Sequence, residues 1–270
     1  MAFARCSRAG ACVTRGISER AASTGASAAA ALPTSDPVET RLAALDWDRI
    51  EADLWARGYA ETDPLLTRSD CDELVALYLE EQRFRSRIDM SRHRFGEGDY
   101  KYFAYPLPQL VQSLRTHAYP RLAPIANRWN EALGVAERFP ATHAAFLAHC
   151  KARGQAKPTP LLLHYEVGGY NCLHQDLYGE VAFPLQLLGF LSRPGTDYEG
   201  GEFLLLEQRP RAQSAAEVIA GVQGKLVFFT TRIRPVRGGR GYYRVNIRHG
   251  VSRVRRGTRY TLGVIFHDAK

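Results

Sequence analysis

Beyond Gly154 the chain is a series of short apolar segments separated by Gly and Pro, and helical periodicity is mostly missing between them. Residues 159–167, 181–191, 202–206, 225–231, 242–251 and 259–267 each have strand length and mix β-branched, aromatic and Leu side chains between turn signals. Parallel strands need long crossovers, usually helices, so consecutive strands without them predict an antiparallel sandwich or barrel.

The preceding part reads differently. Apolar residues recur at helical spacing from Val38 through Leu42, Leu45, Ile50 and Leu54, and Gly58 ends the pattern. A second helix is expected over 71–78, with Ser69 or Asp70 as its N-cap. Further helical material is expected over 107–117 and 120–133, where Pro120 and Pro124 set or kink the boundaries. Trp47, Trp55 and Trp129 read as packing residues. Residues 1–36, rich in Ala, Ser and Arg, have little to bury and are expected to be a disordered tail or an over-extended start. The predicted organisation is therefore a tail over 1–36, a helical support region over 37–155 and a β core over 156–270. The last two form one globular domain over 37–270, an α+β chain with a mainly β core.

Five scattered cysteines without CxxC spacing make a disulfide framework or zinc knuckle unexpected. They point to a reducing, cytoplasmic setting. No apolar run approaches the roughly 20 residues of a membrane span. The net charge of +8 is uneven, because no Asp or Glu occurs from Val218 to His267 while ten arginines and Lys225 do. Most of these arginines are expected to form a solvated sheet edge. Together they also supply a field that attracts anions, including nucleic acid.

Within the β region, His174-Gln175-Asp176 places an imidazole and a carboxylate at i and i+2, which share one face of an extended chain. A second imidazole, His249, follows on a distant predicted strand in Arg248-His249-Gly250-Val251-Ser252. Two neutral imidazoles and one carboxylate are the facial donor set for non-haem Fe(II), with positions left open for a co-substrate and O₂. Arg259 lies ten residues beyond His249. If 254–258 form a five-residue hairpin loop, both side chains share one sheet face about 13 Å apart. Arg259 could then pin a dicarboxylate bidentately. His164 and His267 are weaker ligand candidates, Cys172 and Arg248 read as structural, and Asn171 and Tyr178 could orient the ligands or touch a bound molecule.

These residues resemble a known family. His-x-Asp, the distal His249 and Gly257-Thr258-Arg259-Tyr260-Thr261-Leu262 are similar to motifs of the 2-oxoglutarate and Fe(II)-dependent dioxygenases. Tyr198-Glu199-Gly200-Gly201-Glu202-Phe203 resembles a turn and strand of their prolyl-hydroxylase-like branch. Leu173-His174-Gln175-Asp176-Leu177-Tyr178-Gly179-Glu180 and the closing Val264-Ile265-Phe266-His267-Asp268-Ala269 resemble a bacterial oxygenase group assigned to alkylated nucleic acid. Leu-His-Gln-Asp also occurs in AlkB repair enzymes, where a Tyr nine positions earlier holds 2-oxoglutarate; Tyr165 has that offset here. The AlkB arginine-rich signature follows its distal His, whereas here Arg244-Val245-Asn246-Ile247-Arg248 precedes His249.

The resemblance implies a double-stranded β-helix, or jelly-roll, with N-terminal supporting helices. It implies Fe(II) on His174, Asp176 and His249, 2-oxoglutarate on Arg259 and Tyr165, O₂ as oxidant, and ascorbate as a possible reductant. The implied reaction hydroxylates a C–H bond with release of succinate and CO₂, on alkylated nucleic acid. The alternatives are a prolyl-hydroxylase-like or small-molecule hydroxylase and a non-catalytic jelly-roll module.

Overall fold

The computed structural model describes residues 36–176 and 179–270, so residues 1–35 of the predicted tail and Tyr178 lie outside the described residues. The N-terminal half contributes α1 (Val38–Ala43), α2 (Trp47–Arg57), β1 (Tyr59–Pro64), α3 (Arg68–Ala76), β2 (Phe84–Asp89), β3 (Gly96–Glu97), β4 (Asp99–Phe103), α4 (Gln109–Ala132) and α5 (His143–Ala152). The C-terminal half continues with β5 (Leu161–Tyr165), β6 (Tyr170–His174), β7 (Leu185–Phe190), β8 (Tyr198–Gly200), β9 (Phe203–Gln208) and β10 (Ala215–Ile219). It closes with β11 (Lys225–Thr230), β12 (Ile233–Gly238), β13 (Gly241–Val251), β14 (Val254–Gly257) and β15 (Arg259–Ile265).

Two antiparallel sheets form the frame of a double-stranded β-helix. The larger runs β1-β11-β7-β15-β5-β4-β2; the smaller runs β10-β9-β13-β6-β3, with β12 also paired to β13. Period-two alternation assigns each strand's side chains to a layer. On β7 and β11, Leu188, Phe190, Val227 and Phe229 point inward and interleave with Phe203, Leu205, Val245 and Ile247 of the smaller sheet. Leu185, Leu187, Leu226 and Phe228, on the opposite face, pack under the helices instead. This explains why β7 is buried at every position: a central strand covered on both faces reads as a continuous apolar run.

The helical layer differs from the sequence expectation in four ways. The pattern from Val38 to Gly58 is two helices, broken where the Asp46 carboxylate accepts from Arg49 N and caps α2. Gly58 closes α2 at φ 81°. The second helix is capped by Thr67, not by Ser69 or Asp70, in a reciprocal capping box with Asp70. The two segments expected over 107–133 are one 24-residue helix that carries Pro120 and Pro124 inside it. An interior Pro costs about 3 kcal/mol. Here the buried face of Val111, Leu114, Ala118, Leu122, Ile125 and Trp129 runs unbroken past both rings and outweighs that cost. Finally, the region expected to be helical support also supplies β1, β2 and β4 to the larger sheet.

Trp47 and Trp55 do pack in this layer, with Trp47 5.4 Å from Phe228 and Trp55 6.0 Å from Trp129 between ring centroids. Among the described residues no helix is long and apolar enough to cross a membrane.

Candidate metal centre

His174 ends β6 and His249 lies near the end of β13, and the two are direct cross-strand partners in the smaller sheet. Their ring centroids are 4.2 Å apart. Asp176 follows two residues after His174, with Oδ1 3.5 Å from His174 Nε2 and Oδ2 3.1 Å from His249 Nε2. The donor atoms of the three residues all lie within 4.8 Å of one another. The structure thus brings together the three residues singled out in the sequence.

Neighbouring groups fix the orientation of two of these side chains. His174 Nδ1 donates to the Cys172 carbonyl at 2.7 Å, which leaves Nε2 as the lone-pair nitrogen aimed at the cluster. Gln175 points away, as alternation requires, and its Nε2 donates to the carbonyls of Arg232 and Ile247. His249 is buried between rings, with Phe229 5.0 Å and Phe203 6.0 Å away. Burial disfavours the Asp176 carboxylate, but His249 and His174 outweigh it and hold the group ionised, well below the usual range. Burial lowers the His249 pKa against the pull of Asp176. Burial also works against the His174 imidazolium, yet Asp176 prevails there and raises its pKa. One anion and two nitrogen donors converging at this distance suit a divalent cation of borderline softness.

A cavity of about 390 Å³ opens beside this cluster between the sheets. One of its walls is β15, where Thr261, Gly263 and Ile265 face inward. Arg259, on the same face two residues before Thr261, is completely buried. Its cross-strand partner on β5 is Tyr165, also completely buried, and the guanidinium carbon lies 5.4 Å from the Tyr165 ring centroid. No carboxylate pairs with Arg259 among the described residues, and Arg259 Nε and Nη2 and Tyr165 Oη lack a hydrogen-bond partner of normal geometry. Asn171 and Tyr198 approach the Tyr165 hydroxyl and the guanidinium, respectively, only closely enough to bias the phenols. Burial pushes the Tyr165 phenol up to about 12 against the opposing charge of Arg259, so it stays a donor. A buried, unpaired guanidinium is strongly unfavourable unless an anion meets it.

The geometry corrects two sequence readings. The segment 254–258 is not a hairpin loop: β14 pairs with β8 and carries the chain from the smaller sheet to the larger. His249 and Arg259 therefore face each other from opposite sheets rather than sharing one face. Cys172 is exposed rather than packed, and contributes its backbone carbonyl. His164 lies on the other face of β5, with its ring bonded to Asp99 at 2.9 Å. His267 is buried away from the cluster and accepts from Phe183 N. Arg248 is exposed opposite His249, as expected.

Gly201 makes room for the Arg259 side chain, and Gly200 for the neighbouring backbone. A Cβ on Gly200 (φ 76°) would lie 2.3 Å from the Arg253 carbonyl oxygen, and one on Gly201 (φ 61°) would lie 2.7 Å from Arg259 Cδ. The buried Gln155 carboxamide pins Val181 through its N–H and C=O, both at 2.9 Å. Residues missed from sequence are Thr261 and Gln186. The signal for the first was its i+2 offset from Arg259; for the second, a lone amide in an apolar strand.

Comparison with known proteins places the chain beside one family of oxygenases. The profile of an oxygenase family described as catalysing oxidative methylation of damaged DNA matches residues 98–269. Two Mycobacterium tuberculosis proteins, the uncharacterized proteins MT2286 and Rv2227, are each 50% identical to this chain over 167 residues, covering 62% of this chain and 72% of theirs. A Phytophthora capsici prolyl 4-hydroxylase structure aligns with a TM-score of 0.50 at 15% identity over 88% of this chain and 68% of its own. A Pseudomonas putida prolyl-4-hydroxylase gives a TM-score of 0.49 at 14% identity over 83% and 99%. At such identities the structural likeness concerns the fold alone.

Proposed function

Because the chain belongs to the oxygenase family described as catalysing oxidative methylation of damaged DNA, we propose that it is an Fe(II)- and 2-oxoglutarate-dependent dioxygenase. It hydroxylates a C–H bond with release of succinate and CO₂, and its substrate is alkylated nucleic acid. The observation that carries this reading is a fully buried guanidinium with no carboxylate partner among the described residues, set just behind Tyr165 and Thr261 in the wall of the cavity that also holds the His174, Asp176 and His249 cluster.

When bound, Fe(II) supplies the O₂ activation that no side chain can. His174 Nε2, His249 Nε2 and a carboxylate oxygen of Asp176 would hold it on one face, with ascorbate as its reductant. Arg259 would grip the distal carboxylate of 2-oxoglutarate with two parallel N–H donors, and the Tyr165 hydroxyl would donate beside it. The sheet interior, with Leu163, Leu188, Phe203, Phe229 and Val251 on its walls, would exclude water from the reacting groups. An N-methyl group hydroxylated here becomes a hemiaminal, which releases formaldehyde and leaves the repaired base. The exposed arginines 237, 240, 244 and 248 give β12 and β13 a basic surface suited to a polyanion.

The test begins anaerobically with Fe(II) and 2-oxoglutarate, where the weak visible charge-transfer band of the chelate is expected. Aerobic incubation with a 1-methyladenine oligonucleotide should then yield succinate and formaldehyde together. A missing band in iron-loaded protein would refute the chemistry. Turnover of proline peptides but not of the oligonucleotide would refute the substrate.

Gly201→Ala should raise the KM for 2-oxoglutarate about tenfold, because the new methyl group displaces the Arg259 stem and a tenfold change is about 1.4 kcal/mol. The left-handed backbone adds a stability loss of about 1–2 kcal/mol. Steady-state kinetics and urea unfolding read the two effects separately, and an unchanged KM would dissociate Gly201 from the clamp.

A further inference from the structure

The cavity wall along β15 has two ends. Arg259 lies just past one, behind the lining residues Tyr165 and Thr261; Ile265, six residues on from Arg259, marks the other, about 20 Å from it at about 3.3 Å per residue. At that second end the cross-strand partner of Ile265 on β7 is Gln186, which also pairs with Phe229 on β11. Phe229 is the ring packed 5.0 Å from His249. Gln186 therefore stands one strand from the metal-facing ring and at the opposite end of the wall from the guanidinium.

Its side chain faces inward, as the positions of Leu188 and Phe190 on the same strand face require. Gln186 lines the cavity, is only 3% exposed, and its Nε2 is buried with no hydrogen-bond partner among the described residues. The surrounding wall is Leu161, Leu188, Phe229 and Ile265. A leucine would fill this slot without stranding the buried Nε2 donor. Arg259 is already matched to the anionic co-substrate at the other end.

We infer that Gln186 is a substrate-recognising residue. Its carboxamide presents a donor and an acceptor side by side and complements a planar ring edge carrying the reciprocal pair, as a nucleobase does. This inference rests on the reading that the substrate is an alkylated base. It adds the group that holds the base with its methyl toward the metal.

The experiment compares wild type, Gln186→Leu and Gln186→Asn, using a 1-methyladenine oligonucleotide as the probe. Gln186→Leu should raise the oligonucleotide KM about tenfold or more and increase the ratio of 2-oxoglutarate consumed to formaldehyde released. Gln186→Asn should recover part of both. The charge-transfer band and the substrate-free decarboxylation should match wild type, and the Tm of Gln186→Leu should hold or rise by a few degrees.

Unchanged KM and coupling in an active Gln186→Leu protein would overturn the inference and leave the proposed function standing. A lowered Tm in that variant would overturn it too, by making the amide structural. A wild type that decarboxylates 2-oxoglutarate but leaves the oligonucleotide untouched would instead refute the underlying substrate reading.

Discussion

Asp176→Ala is expected to lose iron and to lower succinate formation by at least about 10³-fold, about 4 kcal/mol of transition-state stabilisation. The carboxylate is the single anion of the cluster, lying 3.1 Å from His249 Nε2 and 3.5 Å from His174 Nε2. Without it, two neutral imidazoles face a divalent cation with no charge to neutralise it, and the third facial position falls to water. Asp176→Asn keeps the shape and removes the charge, and should fail almost as completely. Iron content after anaerobic loading, measured beside succinate release, provides the check. Stoichiometric iron with near-normal turnover in either variant would place the metal elsewhere.

The second large effect concerns Arg259. Arg259→Leu is expected to raise the KM for 2-oxoglutarate at least about 10²-fold, about 2.7 kcal/mol, because two charge-assisted bonds vanish together. Its stability should move the other way. The guanidinium is fully buried with Nε and Nη2 unpartnered, so an apolar replacement removes a desolvated charge that no carboxylate among the described residues neutralises. The urea midpoint of Arg259→Leu is therefore expected to equal or exceed that of wild type. Arg259→Lys should not restore binding, since an ammonium cannot make the planar fork. Titration of 2-oxoglutarate by the charge-transfer band separates these variants, and wild-type affinity in Arg259→Leu would remove the residue from the co-substrate site.

Much of the architecture could be read from alternation alone. Each of the six C-terminal segments proposed as strands overlaps one, because their inward and outward residues differ in polarity or lie in a doubly covered central strand. His174, Asp176 and His249 were legible for the same reason: i and i+2 share a face, and a late strand can return beside the first. What escaped was pairing that leaves no pattern. β14 is the basic run Val254-Arg255-Arg256-Gly257, whose strand character comes from β8 and not from its own composition. Read as a loop, residues 254–258 would put His249 and Arg259 on one face; as a strand they carry the chain between sheets. β2, with Phe84-Arg85-Ser86-Arg87-Ile88-Asp89, is too short and charged to announce itself amid helices. In α4, cumulative burial along one face overrode two prolines, a tertiary effect beyond the reach of local propensity.

The three clustered side chains belong to the smaller sheet and its following turn, whereas Arg259, Tyr165 and Gln186 all belong to the larger one. The gauge between these two halves is thus the thickness of the sandwich, about 10 Å for packed sheets. Interleaved residues such as Phe203, Leu188 and Val227 act as its spacers. Surface loops can lengthen or diversify without altering this calibration, while a change of bulk deep between the layers would retune the reaction from a distance.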